Sequence, residues 1–223
     1  MRTRFHDGFG LLPLVLALFP ALTLAAPVEN IETGMVAAQH AAAQFHSNRT
    51  EATPIRGNSS ASITFTLVGD FDCPYTAKMY PVVQELLRRH QNTVKFVFKM
   101  LPIASHPQAF AAARRWSAVR VIAPEKVWPY FDGLFQGKIN RELGEAYYER
   151  LDQELGIDHL RILSAIKSAD VNGLIDADIE EVGRLGIHGV PTFLLNGVQV
   201  ESGTVPIEAL EDHIARLESG PHP

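Results

Sequence analysis

The sequence predicts an α/β fold with a helical insertion, and three features indicate it. Residues 63–68 and 94–100 each have strand-like alternation, and residues 73–90 between them carry apolar side chains at helical spacing. Residues 108–183 contain only helical patterns, whereas residues 189–200 return to strand patterning. This order corresponds to a parallel βαβ unit, an inserted helical block and a closing hairpin.

The composition is that of a globular protein and excludes a nucleic-acid-binding surface of the usual kind. Hydrophobic residues make up 46% of the 223 residues, which is enough for one good core. The net charge of −5 and the scattered histidines supply no basic patch. We therefore expect no nucleic-acid partner.

The first 25 residues have the pattern of an export signal. Two arginines precede an apolar run at residues 11–24, and small side chains at its end fit cleavage after Ala25. Two prolines interrupt a run that is already short for a bilayer span, so a membrane anchor is the weaker alternative. We expect a periplasmic or secreted protein that has no stable membrane insertion after cleavage.

Residues 26–61 are predicted to form an N-terminal helix and a linker. Residues 31–45 are rich in alanine and carry apolar side chains at steps of three and four, as a helix does. Residues 46–61 have the Ser, Asn, Pro and Gly content of a linker. The helix either packs on its own domain, which is the simpler alternative, or mediates a homodimer.

We divide the remaining chain into a first sheet half at residues 62–107, the helical insertion at 108–183 and a second sheet half at 184–223. In the second half, Asn-Gly at residues 196–197 predicts a tight hairpin, and residues 206–217 predict a closing helix. The insertion has aromatic side chains that we expect to form its core: Trp116, Trp128, Tyr130, Phe131 and Phe135.

Cys73 is the only cysteine, and it stands where the first predicted strand turns into the first predicted helix. A helix N-terminus favours an anion, and the thiolate is the reactive form of cysteine. In the oxidising compartment that an export signal implies, structural cysteines normally come in pairs. Cys73 is therefore an inert buried thiol, an intermolecular disulfide partner or a reactive site, and composition alone favours the first.

Three motifs occur in a fixed order around the helical block. They are Phe-Asp-Cys-Pro-Tyr at residues 71–75, His-Pro at 106–107, and Gly-Val-Pro-Thr-Phe at 189–193, which is followed by Asn-Gly. In this order they resemble the exported thiol-disulfide oxidoreductases of the DsbA-like branch of the thioredoxin superfamily. The resemblance covers about residues 55–217, and it implies a thioredoxin-like fold with an inserted helical domain.

The resemblance also implies roles for individual residues. Cys73 would be the nucleophile, and Pro74 and Tyr75 belong to its motif. Val190 and Pro191 would form a cis-proline loop against the cysteine, and the backbone of this loop would bind an extended substrate polypeptide by strand addition. No metal site is expected, because one cysteine without histidines at ligand spacing does not make a zinc site.

Two positions depart from the family pattern. Thr76 stands where the family usually has a second cysteine, and Leu67 stands where it often has a buried acid. Without a resolving thiol the chain forms no intramolecular disulfide, so the dithiol oxidase role is excluded. We expect Thr76 to point its hydroxyl at the sulfur of Cys73 and stabilise a thiolate. We expect no bound cofactor, with glutathione as a candidate co-substrate.

The leading interpretation is a monothiol oxidoreductase or disulfide isomerase or reductase that acts on envelope polypeptides bearing thiols or disulfides. One alternative is a non-catalytic, chaperone-like module that binds peptides with a degenerate site. Another is a glutathione-using enzyme similar to the kappa-type transferases, although these normally act with serine at the position of Cys73. His106 and His188 are expected to be loop residues without a chemical role.

Overall fold

The computed structural model of the protein describes residues 53–219. The predicted signal peptide at residues 1–25 and the predicted helix at residues 31–45 lie outside the described residues. Among residues 53–219, no helix is long and apolar enough to cross a membrane.

The first half of the described chain is a short strand followed by the predicted βαβ unit. Strand β1 (Arg56–Gly57) lies in the segment that the sequence assigns to a linker, and two residues are too few to show strand periodicity. Strand β2 (Ile63–Gly69), helix α1 (Pro74–Arg89) and strand β3 (Val94–Met100) follow within one or two residues of the predicted bounds.

The next part of the chain is helical, as the sequence predicts. Five α-helices follow β3: α2 (Ala109–Ile122), α3 (Val127–Ile139), α4 (Glu145–Glu154), α5 (His159–Ala165) and α6 (Ala169–Arg184). The side chains of Asp158 and Ser168 cap α5 and α6, which is why these helices begin where they do. The chain then forms strand β4 (Thr192–Leu195), strand β5 (Val198–Ser202) and helix α7 (Ile207–Glu218).

The five strands form one sheet in the order β1-β3-β2-β4-β5. The pair β2 and β3 is parallel, as a βαβ unit requires, and the other three pairs are antiparallel. All seven residues of β2 are buried, including the threonines that give its sequence an alternating pattern. Alternation therefore does not mark a solvent face here, because the sheet is covered on both sides.

One aromatic cluster joins the sheet to the insertion. The ring of Phe71, which precedes Cys73 by two residues, lies 5.0 Å from the ring of Phe98 in β3 and 5.1 Å from that of Phe135 in α3. Phe98 also lies 5.0 Å from Phe131. The aromatic side chains of the insertion thus pack against the sheet in a shared core, rather than only against one another.

The hairpin between β4 and β5 closes at the predicted Asn-Gly pair. Asn196 and Gly197 have φ values of 49° and 83°, the left-handed conformations that a two-residue hairpin turn favours. The Asn196 side chain also accepts a hydrogen bond of 2.8 Å from the backbone N–H of Thr64 in β2. The turn is thereby tied to the central strand, which fixes the end of β4.

Candidate functional site

Cys73 is the N-cap residue of α1 and has an extended backbone conformation. Its N–H donates to the carbonyl oxygen of Asp70 at 3.1 Å, and its own carbonyl accepts the first helical hydrogen bond, from Ala77 at 3.0 Å. Pro74 occupies the first helical position, where a missing N–H costs nothing. The thiol thus lies at the positive end of the helix dipole, with only 2% of the residue exposed.

The structure brings the predicted loop against this cysteine. The sulfur of Cys73 lies 4.0 Å from the carbonyl oxygen of Val190, and the Val190–Pro191 peptide bond is cis. The loop approaches because β4, which begins directly after it, pairs antiparallel with β2. Pro191 is buried, whereas Val190 is half-buried.

The other predicted motif residues have contrasting environments. Pro74 is exposed, and Tyr75 is 61% exposed, so the outer side of the motif faces solvent. Thr76 is fully buried, and its hydroxyl has no hydrogen-bond partner among the described residues. The expected hydrogen bond from Thr76 to the sulfur is therefore not formed, since the sulfur of Cys73 is directed towards the carbonyl of Val190.

The wall behind position 76 is tightly packed. A Cβ added to Gly69 would lie 2.8 Å from Cγ2 of Thr76 and 2.7 Å from Cε2 of Phe98. Real side chains do not approach so closely, so only glycine fits at the end of β2. The methyl group of Thr76 fills this side of the site.

Two carboxylates that the sequence interpretation overlooked hold the turn before the cysteine. The buried carboxylate of Asp70 accepts hydrogen bonds from the N–H groups of Asp72 at 2.8 Å and Ile103 at 3.1 Å. Its second oxygen also lies 2.6 Å from Nδ1 of His106. His106 is in a loop as expected, but its ring contacts the turn before Cys73.

Asp72 makes the second set of contacts. Its carboxylate accepts from the backbone N–H of Gln108, at the start of α2, and from Nζ of Lys138, in the last turn of α3, both at 2.7 Å. The turn is therefore pinned to two helices of the insertion. Acidic residues two positions apart, just before a lone cysteine, are a signal that could have indicated this role. Lys138 carries no such signal in sequence.

A groove of about 310 Å³ lies on the outer side of the cis-proline loop. The loop residues His188 to Thr192 line it together with Gln199 and Ser202 of β5. His188 is exposed and is a loop residue, as predicted. The groove places backbone groups next to Val190, where an extended polypeptide would need them.

Helix α6, which leads into this loop, is fixed to the sheet by buried charges. Nζ of Lys99 in β3 lies 3.0 Å from the carboxylate of Asp178 and 2.6 Å from that of Glu181. Asp178 also accepts from the N–H of Met100 at 3.2 Å. These contacts set the position from which the loop departs. Within residues 53–219 there is no group of three or more His, Cys, Asp or Glu side chains arranged to hold a metal.

A family model described as thioredoxin matches residues 49–215. The chain belongs to the thioredoxin family. Two solved structures with the same fold are a thioredoxin-like oxidoreductase from Silicibacter pomeroyi and α-DsbA2 from Wolbachia pipientis, a thiol-disulfide exchange protein. The first is 22% identical, has a TM-score of 0.66 and covers 79% of this chain and 96% of its own. The second is 18% identical, has a TM-score of 0.68 and covers 82% of this chain and 98% of its own.

The catalytic domain of ScsC from Proteus mirabilis is similar to the same extent. It is 21% identical with a TM-score of 0.68, and the match covers 82% of this chain and 99% of that domain. The fold class predicted from sequence, a thioredoxin-like α/β fold with a DsbA-like helical insertion, is confirmed. The DsbA-like resemblance is confirmed at the level of the fold, and this sequence has a single cysteine in place of two.

The curated relatives that match this chain by sequence are described as Na(+)/H(+) antiporters. The Na(+)/H(+) antiporter NhaA 1 of Salinispora arenicola is 32% identical over 169 residues, which are 74% of this chain and 25% of the antiporter. The antiporter NhaA 3 of Salinispora tropica is 31% identical over 157 residues, 70% of this chain and 23% of that protein. The chain thus spans about a quarter of the length of these relatives.

Proposed function

We propose that this protein carries out thiol-disulfide exchange with Cys73 as its single nucleophile, on polypeptides that bear thiols or disulfides. The observation that carries the proposal is the position of the Cys73 sulfur, at a helix N-terminus and 4.0 Å from the carbonyl of Val190. Membership of the thioredoxin family supports it. The lack of a second cysteine limits the chemistry to mixed disulfides.

The proposed reaction begins when the Cys73 thiolate attacks a client disulfide. One client sulfur becomes bonded to Cys73, and the other leaves as a thiolate that takes a proton from water. The client backbone pairs with the loop at Val190 and Pro191, and the exposed ring of Tyr75 borders it. A second thiol then resolves the adduct, for which glutathione is a candidate co-substrate.

We also propose that the protein acts after export, in the periplasm or outside the cell. The signal pattern at residues 1–25 supports this, and a structural neighbour is described as a periplasmic thioredoxin-like protein from Salmonella enterica serovar Typhimurium, at 17% identity. A homodimer through residues 31–45 stays part of the proposal. We do not propose ion transport, because the matched region is about a quarter of each antiporter.

The test is the rate at which the reduced protein forms a covalent adduct with a peptide disulfide, followed by mass spectrometry at neutral pH. We expect the folded protein to react faster than the same protein unfolded in urea, since only the folded chain has the helix N-terminus at Cys73. The Cys73→Ser variant should form no adduct, and Thr76→Ser should still form it. Equal rates for folded and unfolded protein would contradict the proposal.

A second candidate is a peptide-binding module whose thiol is dispensable. The 2% exposure of Cys73 and the groove beside the cis-proline loop favour it. Binding of an extended polypeptide by Cys73→Ala, under reducing conditions and with unchanged affinity, would support this candidate over exchange. Turnover of small electrophiles with glutathione would instead support the transferase alternative.

A further inference from the structure

We propose that His106 is a positioning residue for the reaction of Cys73, and that it acts through the carboxylate of Asp70. When its ring is protonated, it balances the negative charge of this carboxylate, and this favours the thiolate of Cys73 at mildly acidic pH. The inference deepens the proposed function and rests on it, because it concerns the nucleophile of the exchange reaction.

The loop between β3 and α2 follows the turn before Cys73 (residues 69–72) through four hydrogen-bonding contacts. Three of them come from backbone N–H groups of the loop. The fourth comes from a side chain, the ring of His106, whose Nδ1 lies 2.6 Å from a carboxylate oxygen of Asp70. The three backbone donors are Leu101, Ile103 and Gln108. The ring of His106 is thus the only donor of this set whose charge can change.

The hydrogen-bond pattern indicates which ring nitrogen takes up the second proton. Both oxygens of Asp70 accept backbone N–H groups, one from Asp72 at 2.8 Å and the other from Ile103 at 3.1 Å, as an ionised carboxylate does. Nδ1 of His106 therefore donates its hydrogen to Asp70, and Nε2 takes up the second proton. The side chain is 27% exposed, so water can deliver that proton.

Asp70 is the residue through which the charge of His106 acts on the nucleophile. Its backbone carbonyl accepts the N–H of Cys73 at 3.1 Å, and its side chain is fully buried. A buried carboxylate three residues before the thiol opposes a second negative charge on the sulfur. An imidazolium in contact with the carboxylate removes this opposition, whereas a neutral ring does not.

The other charged groups around the turn do not vary in the same way. The carboxylate of Asp72 is balanced by Nζ of Lys138 at 2.7 Å, and an ion pair favours the charged form of both groups. Tyr148 interacts electrostatically with both carboxylates of the turn, but burial raises the pKa of its phenol, which therefore stays neutral. The guanidinium of Arg115, against the Tyr148 ring, is always charged. Histidine ordinarily changes charge between about pH 5 and 8, so His106 supplies the variable charge.

The insertion contains a second pair of the same geometry, which provides a matched control. Nδ1 of His159 lies 2.6 Å from the buried carboxylate of Asp152, and the His159 side chain is 21% exposed. Arg115 and Tyr130 also hold Asp152. Within residues 53–219, no hydrogen bond of this pair reaches the turn before Cys73.

The experiment is an absorbance titration of the Cys73 thiolate in the reduced protein. Because Cys73 is the only cysteine, the ultraviolet absorbance of the thiolate reports this group alone, even though the residue is buried. The Cys73→Ala variant supplies the background at each pH. His106→Asn is the test variant, since its amide nitrogen can replace Nδ1 as the donor to Asp70 but carries no charge.

We expect the thiolate fraction at about pH 5.5 to be about fivefold lower in His106→Asn than in the wild-type protein. The difference should disappear by about pH 8, where an imidazole is ordinarily neutral. His159→Asn should keep the wild-type thiolate fraction throughout. Equal titrations of the wild-type protein and His106→Asn would overturn the inference, and so would a decrease in His106→Asn that is the same at every pH.

A second variant keeps the inference testable if His106→Asn does not fold, which circular dichroism would detect. Asp70→Asn removes the charge that His106 balances, so it should raise the thiolate fraction above the wild-type value at about pH 8. An unchanged or lower fraction in this variant would also overturn the inference.

Adduct formation with a peptide disulfide separates this inference from the proposed function. A wild-type protein that forms the adduct but titrates like His106→Asn would contradict the role of His106 and leave the proposed function intact. A wild-type protein that shows the expected titration but forms no adduct would contradict the proposed function, and with it the role of His106 in a reaction.

Discussion

The two sides of the turn at Cys73 are built in different ways. On the side of the insertion and of the loop after β3, every carboxylate oxygen of Asp70 and Asp72 accepts a hydrogen bond or lies in an ion pair. On the side of α1, the buried hydroxyl of Thr76 has no partner among the described residues. The carboxylates that hold the turn before Cys73 therefore all have partners. At position 76, where a resolving thiol would stand, a threonine occupies the space.

The largest effect on stability should come from removing the carboxylate of Asp70. Asp70→Ala leaves the buried N–H of Asp72 and the part-buried N–H of Ile103 without their acceptor and removes the partner of His106. We expect a loss of about 3 kcal/mol in the free energy of unfolding at neutral pH. Urea denaturation measures this loss, and Asp70→Asn, which keeps the shape, is the control. A loss below about 1 kcal/mol in Asp70→Ala would show that this carboxylate does not hold the turn.

Removing Lys138 should have the next largest effect, because its ammonium group lies 2.7 Å from the nearly buried carboxylate of Asp72. Lys138→Met leaves that carboxylate with only the N–H of Gln108, and we expect a loss of about 2 kcal/mol. The control is Lys78→Met, an exposed lysine of α1, which should change stability by less than about 0.5 kcal/mol. Equal effects in the two variants would show that the ion pair does not hold the turn.

The cost of the unpaired buried hydroxyls can be measured by replacing each of them with a methyl group. Thr66 in β2 and Thr76 both have fully buried hydroxyls without a partner among the described residues. Thr66→Val and Thr76→Val should each raise the free energy of unfolding by about 1 kcal/mol, since a buried unpaired polar group is costly. Urea denaturation measures both changes. A loss of stability in either variant would show that its hydroxyl is not an unpaired buried group.

The smallest effect should occur away from the turn, at the surface cluster near the end of α1. Hydrogen bonds from Arg88 and Arg89 lower the pKa of Glu85 to about 2. A lowered pKa in the folded state means that this contribution is present above the unfolded pKa of Glu85 and is lost as the pH falls towards about 2. Glu85→Gln should therefore reduce stability slightly at pH 7, and the difference should vanish in acid. A stability difference between the two proteins that grows on acidification would contradict the lowered pKa of Glu85 in the folded state.

The fold was predictable from sequence where the periodic pattern of apolar side chains extends over enough residues to be recognised. The βαβ unit, the helical insertion and the Asn-Gly hairpin all follow from such patterns. Strand β1 was not predictable, because two residues carry no period. The burial of β2 on both faces was not predictable either, since its threonines mimic the alternation of a half-exposed strand.

The site was predictable only in part. The motif order indicated Cys73 and the loop at Val190 and Pro191, because the family places them together. The contact between Asp72 and Lys138 joins residues that are 66 positions apart, and no local pattern records it. The hydrogen bond expected from Thr76 is not formed, because spacing along a helix does not fix the direction of a side chain.

The lifetime of the adduct between Cys73 and a one-cysteine peptide, after all free thiol has been removed, tests the central claim most directly. A protein with one thiol cannot resolve its own mixed disulfide, so the adduct should form and then persist until a second thiol is added. Intact-mass measurements over time would follow it. An adduct that does not form, or that decays in the absence of any thiol, would contradict the account of Cys73 as a single nucleophile that depends on another molecule for release.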